Sequence, residues 1–166
     1  MSTDTIRLAG ADDVDAFRRI RLEALRAEPA AFSSTAAKWE ALSDEEWRRR
    51  LTNPVFIAFR DGEHVGIMGL MREQSSQTAH CATIMMVYLR AGLRGSGLAS
   101  ALLEALTQHA RELGIRLLEL GVNAENPAAV RFYKRQGFAE IDRIPGGFVH
   151  DGKESDKIMM ARRIDG

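Results

Sequence analysis

Residues 82–113 constrain this chain more than any other stretch, because they join an apolar run to an amphipathic helix through a basic, glycine-rich turn. The run over residues 82–89 is apolar at nearly every position and rich in β-branched and aromatic side chains, which predicts a central strand buried on both faces. The helix that follows sets Leu98, Leu102, Leu106, Ala110 and Leu113 on one stripe, and Gly114 is placed to end it. A buried strand feeding such a helix implies a sheet covered by helices, the α/β class. Between the two, Gly95 and Gly97 remove side chains where the helix begins. Backbone N–H groups are then free to face an anion at the positive end of the helix dipole, as a diphosphate cradle requires. Glycine spacing alone also describes a tight strand-to-helix turn with φ above zero, so the turn carries two readings at this point.

The remaining elements arrange themselves around this unit. Residues 5–8 form a short first strand, and Asp12 or Asp13 caps a helix to about Arg26 that carries Val14, Phe17, Ile20, Leu22 and Leu25. Glu28-Pro29 stops that helix. A turn over residues 30–35, with Phe32 as its one large apolar residue, leads to a second helical stretch that includes Trp39. Ser43 followed by Glu46 fits a capping box and starts a further helix, which Asn53-Pro54 ends. Residues 55–59 and 65–71 are strands joined at Asp61-Gly62, and residues 81–89 complete a three-stranded meander. After Gly114 come a parallel strand over 116–122 and a helix opened by Asn126-Pro127 and closed by Gly137. A final strand pair, 138–143 and 157–162, surrounds turns at Pro145-Gly146-Gly147 and Asp151-Gly152.

At 166 residues the chain fits a single domain over 1–166 and can bury a substantial core. Basic and acidic residues balance at 23 each, so no net field favours nucleic acid or an anionic membrane. The lone Cys81 excludes an intramolecular disulfide framework and an all-cysteine zinc site, and no metal is expected. No run approaches about 18 consecutive apolar residues, and Met1 to Thr5 lack the basic start and apolar core of a signal peptide. A soluble, cytoplasmic protein is the expectation.

The spacing Arg94-x-x-Gly97-x-Ala99 behind a buried strand resembles the acetyl-CoA signature of the GNAT superfamily of N-acetyltransferases: Arg or Gln, two residues, Gly, one residue, Gly or Ala. Downstream, residues 117–123 read as the next strand, and residues 126–138, from Asn126-Pro127 through Tyr133 to Gly137-Phe138, are similar to that family's closing helix motif. The two matches cover roughly the C-terminal half; the N-terminal half agrees only in the order of its elements. The resemblance implies a mixed, mostly antiparallel central sheet flanked by helices. It also implies a V-shaped gap where the strands ending at Leu89 and starting at Arg116 part company. Acetyl-CoA would be the cosubstrate, its pyrophosphate on the backbone of Gly95, Ser96, Gly97, Leu98 and Ala99 with Arg94 neutralising charge. The backbone of Val87, Tyr88 and Leu89 would pair with the pantetheine amides as though these were an added strand and polarise the thioester carbonyl. Asn126 is read both as a helix cap and as a contact to the pantetheine arm. Tyr133, two helical turns further on and on the same face, stands where many of these enzymes carry the tyrosine that protonates the departing thiolate; packing in the core is its other reading.

The general base is where the pattern departs. Many relatives carry a carboxylate where Thr83 stands, and a hydroxyl cannot serve as a base at neutral pH. Ala91 also replaces a common proline. His80, Glu73, Glu119 or a relay through water remain, the water relay being preferred, and Cys81 reads as a small buried residue rather than an acyl-accepting nucleophile. Three functions fit: acetylation of a small free amine, acetylation of a protein lysine or N-terminus, and a non-catalytic acyl-CoA sensor. A dinucleotide-binding reading of Gly95-x-Gly97 fails because its third glycine falls at Ser100. The acceptor side is expected to be lined by residues 30–35 with Phe32, and by residues 148–156 with Asp151, Glu154 and Asp156. Nothing in the sequence supplies an inserted loop or charged tail to grip a protein, which favours a small-molecule amine such as an amino acid, polyamine or amine-bearing toxin. A homodimer is left open.

Overall fold

The computed structural model describes residues 2–166. Its seven strands are β1 (Asp4–Leu8), β2 (Val55–Arg60), β3 (Glu63–Arg72), β4 (Cys81–Leu89), β5 (Leu117–Asn123), β6 (Ala139–His150) and β7 (Lys153–Arg163). Five helices accompany them: α1 (Val14–Ala27), α2 (Ala36–Glu40), α3 (Asp44–Arg50), α4 (Leu98–Glu112) and α5 (Pro127–Arg135). The strands form one sheet in the order β1-β2-β3-β4-β5-β7-β6, antiparallel throughout except for the β4–β5 pair. The expected mixed, mostly antiparallel sheet flanked by helices is therefore present.

Each face of the sheet carries its own core. Phe17, Ile20 and Leu25 of α1 pack with Trp39 and Trp47 against Ile57, Phe59 and Ile67. Leu98, Leu102, Leu106 and Ala110 of α4 pack with Tyr133 against Met68, Leu70, Leu118 and Leu120 on the other side. Local signals act as the sequence leads one to expect. The Ser43 hydroxyl accepts from the Glu46 N–H while Glu46 reaches back to the Ser43 N–H, closing the capping box of α3. Asp61 and Gly62 both take positive φ, +51° and +82°, the type I′ geometry that suits a two-residue hairpin. Leu113 falls outside α4, which ends at Glu112, and the turn at Gly114 leaves it 38% exposed; Leu103 and Thr107 are buried in the stripe instead. No helix among the described residues is long and apolar enough to cross a membrane.

Three findings correct the reading of the sequence. β4 is not buried on both faces: Cys81, Thr83, Met85 and Val87 are only partly covered, and beyond Thr83 the separation of β4 from β5 opens a cleft that Met85 and Val87 line. Pro145-Gly146-Gly147 is not a turn between strands but a bulge inside β6. There the register passes from Ile144 opposite Lys157 to Phe148 opposite Ser155, so three residues face Asp156 alone. The one turn of that hairpin is Asp151-Gly152, again with positive φ at both positions. Finally, Asp13 starts α1 without capping it; its carboxylate instead accepts from the Gly10 N–H at 2.9 Å and from Arg7 at 2.6 Å.

Candidate active site

The site is made by an interruption of the sheet. Strands β4 and β5 are paired only at Cys81–Leu117, Ala82–Leu118 and Thr83–Glu119, after which β5 continues alongside β7 while β4 bends away. A bulge in β4 produces the bend. Opposite β3 the register jumps from Gly69–Met85 to Ile67–Tyr88, and Met86 takes a φ of +58°, a conformation few residues with a Cβ adopt. Gly69 makes this feasible, since an ideal Cβ there would meet the Met86 Cε at 2.5 Å. The bulge also switches which side chains face which core: Ile84 packs with α4, whereas Met86 and Tyr88 pack with α1.

Beyond the bulge, the Arg90 N–H donates to the Val65 carbonyl on the β3 side. By the alternation of an antiparallel ladder, Val87 and Leu89 turn their N–H and C=O groups toward the gap, where no strand meets them. The gap is a cavity of about 360 Å³. Among the residues expected at the coenzyme site, Val87, Tyr88, Leu89, Arg94, Gly95, Ala99 and Asn126 line it, as does Tyr133. Three do not. Ser96 donates its hydroxyl to the Leu93 carbonyl, Gly97 forms the N-cap of α4, and the Leu98 side chain is 4% exposed in the core. Only backbone is offered at these positions, and Gly95 and Gly97 hold φ at +83° and +89°, where a Cβ would be strained.

Across the gap, the Asn126 Oδ1 accepts from the Ala129 N–H at 3.2 Å and caps α5, and the same residue lines the cavity, so its two roles are compatible. Tyr133 is 5% exposed and packs edge-on against Phe132 and Phe138 at centroid distances of 5.2 and 5.7 Å. Burial raises its phenol well above the ordinary value, which keeps its proton in place at neutral pH.

Helix α1 and the turn that follows it contribute carboxylates that no sequence motif signalled. Glu23 accepts from the Tyr88 hydroxyl at 3.0 Å and takes a bidentate pair from Arg90 at 2.9 and 2.8 Å. The Arg90 guanidinium, then the Tyr88 hydroxyl, hold the Glu23 carboxyl below its ordinary range, and burial first, with the Glu23 contact second, pushes Tyr88 up to about 12. Glu28 lies on the cavity wall and forms an ion pair with Arg94. The residues expected as bases lie elsewhere. Thr83 donates weakly to Glu119 at 3.5 Å, and neither they nor His80 and Glu73 line the cavity. His80 sits at the closed end of the V, where its carbonyl accepts from Arg116 and Leu117. At about 3.3 Å per residue, its Cα is roughly 13 Å along β4 from Ile84, where the gap begins.

On the side expected to receive the acceptor, Ala31 and Phe32 line the cavity, and the Asn123 amide fixes their loop by donating to the Ala30 carbonyl at 3.2 Å. The 148–156 segment is not on the cavity wall. Asp156 is engaged by Arg143 at 2.9 Å and by the Gly146 N–H at 3.1 Å, while Glu154 and Asp151 stand in the exposed part of the hairpin.

The family model of the acetyltransferase (GNAT) family matches residues 17–138. An uncharacterised N-acetyltransferase from Methanocaldococcus jannaschii is 28% identical over 148 residues; the match covers 88% of this chain and 65% of that protein. An L-methionine sulfoximine/L-methionine sulfone acetyltransferase from Salmonella typhimurium is 25% identical over 162 residues, with 97% and 95% covered. Among solved structures, a ribosomal-protein-alanine N-acetyltransferase from Brucella melitensis superposes with a TM-score of 0.80 at 27% identity, covering 96% of this chain and 99% of that one. A protein from Salmonella typhimurium solved with its cofactor acetyl-CoA gives a TM-score of 0.78 at 25% identity, covering 99% and 95%. The parted strands, the glycine turn at the head of α4 and a family match across most of the chain lead to one conclusion: the chain belongs to the GNAT acetyltransferase family.

Proposed function

We propose that this protein transfers the acetyl group of acetyl-CoA directly to the primary amine of a small molecule. The observation that carries the reading is the unpaired β4 edge at Val87 and Leu89, open toward the gap between the glycine turn at Gly95 and the phenol of Tyr133. Peptide-like amides of a pantetheine arm fit that edge as a short added strand. The backbone N–H groups at the start of α4 suit a pyrophosphate, at the positive end of the helix dipole. Arg94 is near enough to add charge, and a guanidinium with five donors can serve both Glu28 and a phosphate.

With the thioester so placed, the acceptor nitrogen attacks its carbonyl carbon, the backbone N–H at the bulge stabilises the oxygen as it gains charge, and the carbon–sulfur bond breaks. Tyr133, protonated at neutral pH and on the wall of the gap, gives its proton to the departing sulfur. The amine's proton leaves through water, because the one carboxylate on the cavity wall, Glu28, is held by Arg94. Phe32 on the cavity wall, on a loop tied down by Asn123, offers a fixed apolar contact that suits a small amine. Homology supports the same direction through a relative named for acetylating methionine sulfoximine and methionine sulfone.

The test is release of free coenzyme A thiol from acetyl-CoA across a panel of amino acids, polyamines and other small amines, run beside lysine-bearing and free N-terminal peptides. Amine-dependent release with a small acceptor is the expected result. Release with peptides alone would transfer the reading to a protein acceptor, and no release with any amine would reject catalysis.

A further inference from the structure

A lysine on the acceptor side has been given a path that two glycines keep open. Lys157 stands opposite Asn123 in the β5–β7 ladder, on the face toward the Ala30 loop. Its side chain then runs diagonally across Gly121, where an ideal Cβ would meet the Lys157 Cε at 2.3 Å and its Nζ at 3.4 Å. The root of the same side chain is cleared by Gly147, whose Cβ would meet the Lys157 Cβ at 2.6 Å. Neither glycine has a positive φ; at Gly121 every close atom belongs to Lys157, and at Gly147 the Lys157 Cβ is the nearest, with the Ile144 carbonyl of the bulge next at 3.2 Å. Gly121 and Asn123 line the cavity; Lys157 itself does not, and its ammonium lies beside that wall over Gly121, 5.6 Å from the ring of Phe148.

That ammonium has no counter-charge. No carboxylate of the described residues lies within 4.0 Å of it. Nearby acids are committed elsewhere: Asp156 to Arg143, Glu125 to Lys153, and Glu28 to Arg94. Glu119, two residues before Gly121 on the same face, contacts Thr83 instead. A partly covered lysine with its stem beside two glycines and its charge unpaired next to the cavity wall at Gly121 fits an anionic ligand.

We propose that the acceptor is an amine bearing a carboxylate, as in a free amino acid, and that Lys157 binds that carboxylate. This rests on the small-amine reading above and narrows it. Polyamines and other acceptors without an acidic group lack the partner for Lys157 and are poor substrates.

Two measurements separate the narrower claim from the broader one. The first compares kcat/KM for free amino acids and their carboxamides in the wild type, Lys157→Met and Lys157→Arg. The wild type should prefer the acid by roughly tenfold to a hundredfold, as for a charge-assisted contact. Lys157→Met should lose that preference through KM while still acetylating the carboxamides, and Lys157→Arg should restore part of it. The second uses coenzyme-A-loaded protein and calorimetry with N-acetyl amino acids and their carboxamides, which needs no turnover. Acid-selective binding that Lys157→Met abolishes would uphold the carboxylate site even if acetyl transfer failed. Equal binding of acid and carboxamide by the wild type, absence of binding by both, or unchanged acid preference in Lys157→Met would each overturn it.

Discussion

Replacing Arg21 by Met should stabilise this protein. Arg21 lies on the buried face of α1 at 4% exposure, its guanidinium stacked on Phe32 at 4.9 Å and on Trp39 at 4.5 Å. Its Nε and Nη1 are buried without a hydrogen-bond partner, and Arg50, stacked at 4.6 Å on the same Trp39 ring, adds repulsion. Burial first, and Arg50 second, lower its pKa from the ordinary 12.5 to about 10, a penalty on the charged form of about 3 kcal/mol. Two stacking contacts at about 1 kcal/mol each return most of this. Methionine keeps the stem's packing and removes the charge, so the net gain is about 1 kcal/mol, or roughly 2–4 °C in Tm for a domain of this size. Because the folded pKa lies below the unfolded one, the unfolded chain binds the extra proton between them. The variant's advantage is therefore full below pH 10 and fades as pH rises from about 10 toward 12.5. Urea unfolding of both proteins at pH 8 and near pH 10.5 measures this. Destabilisation by more than about 1 kcal/mol at pH 8 would refute the argument, since it would mean that the guanidinium is satisfied where it lies.

Other substitutions test the site itself. Gly97→Glu sets a carboxylate at the head of α4 and should abolish acetyl-CoA binding in calorimetry, whereas Gly97→Ala, which carries the same positive-φ strain without the charge, should retain it in part. Tyr133→Phe should slow turnover by about 10²–10⁴-fold with coenzyme affinity close to wild type; an unchanged rate where chemistry is rate-limiting would leave Tyr133 a packing residue. His80→Ala and Glu73→Gln should leave the pH–rate profile unaltered, because both residues sit at the closed end of the V. Loss of the acidic limb in either variant would identify a side-chain base.

What the sequence made legible was local chemistry. The Ser43 box, the Asp61-Gly62 hairpin and the Asn126-Pro127 helix start are each fixed by neighbours within a few residues, and each formed as read. The family pattern, and not local chemistry, is what brought Gly95 and Tyr133 together in the reading, and both stand on the cavity wall. The bulge at Met86 was not legible, because nothing in Met85-Met86-Val87 marks a left-handed residue, and the glycine that permits it, Gly69, is on another strand. The ion pairs Glu23–Arg90 and Glu28–Arg94 were hidden similarly: their partners are 67 and 66 residues apart, and Glu28-Pro29 read only as the end of a helix. Pro145-Gly146-Gly147 has a turn's composition, and only the register between β6 and β7 reveals that the strand continues through it.

The short union of β4 with β5 has a mechanical consequence. Within the sheet, three residue pairs join the four-stranded panel β1–β4 to the three-stranded panel β5–β7, while the core beneath α4 spans both. Opening or closing the angle between the panels bends this seam and leaves the ladders on either side intact. Amide exchange should record the difference: slow at Ala82 and Leu118 within the seam, fast at Val87 and Leu89 on the open edge, although all four lie in strands of one sheet. A ligand that lays its own amides along that edge would act as a splint between the panels, and its arrival would be felt as stiffness across the whole width of the sheet.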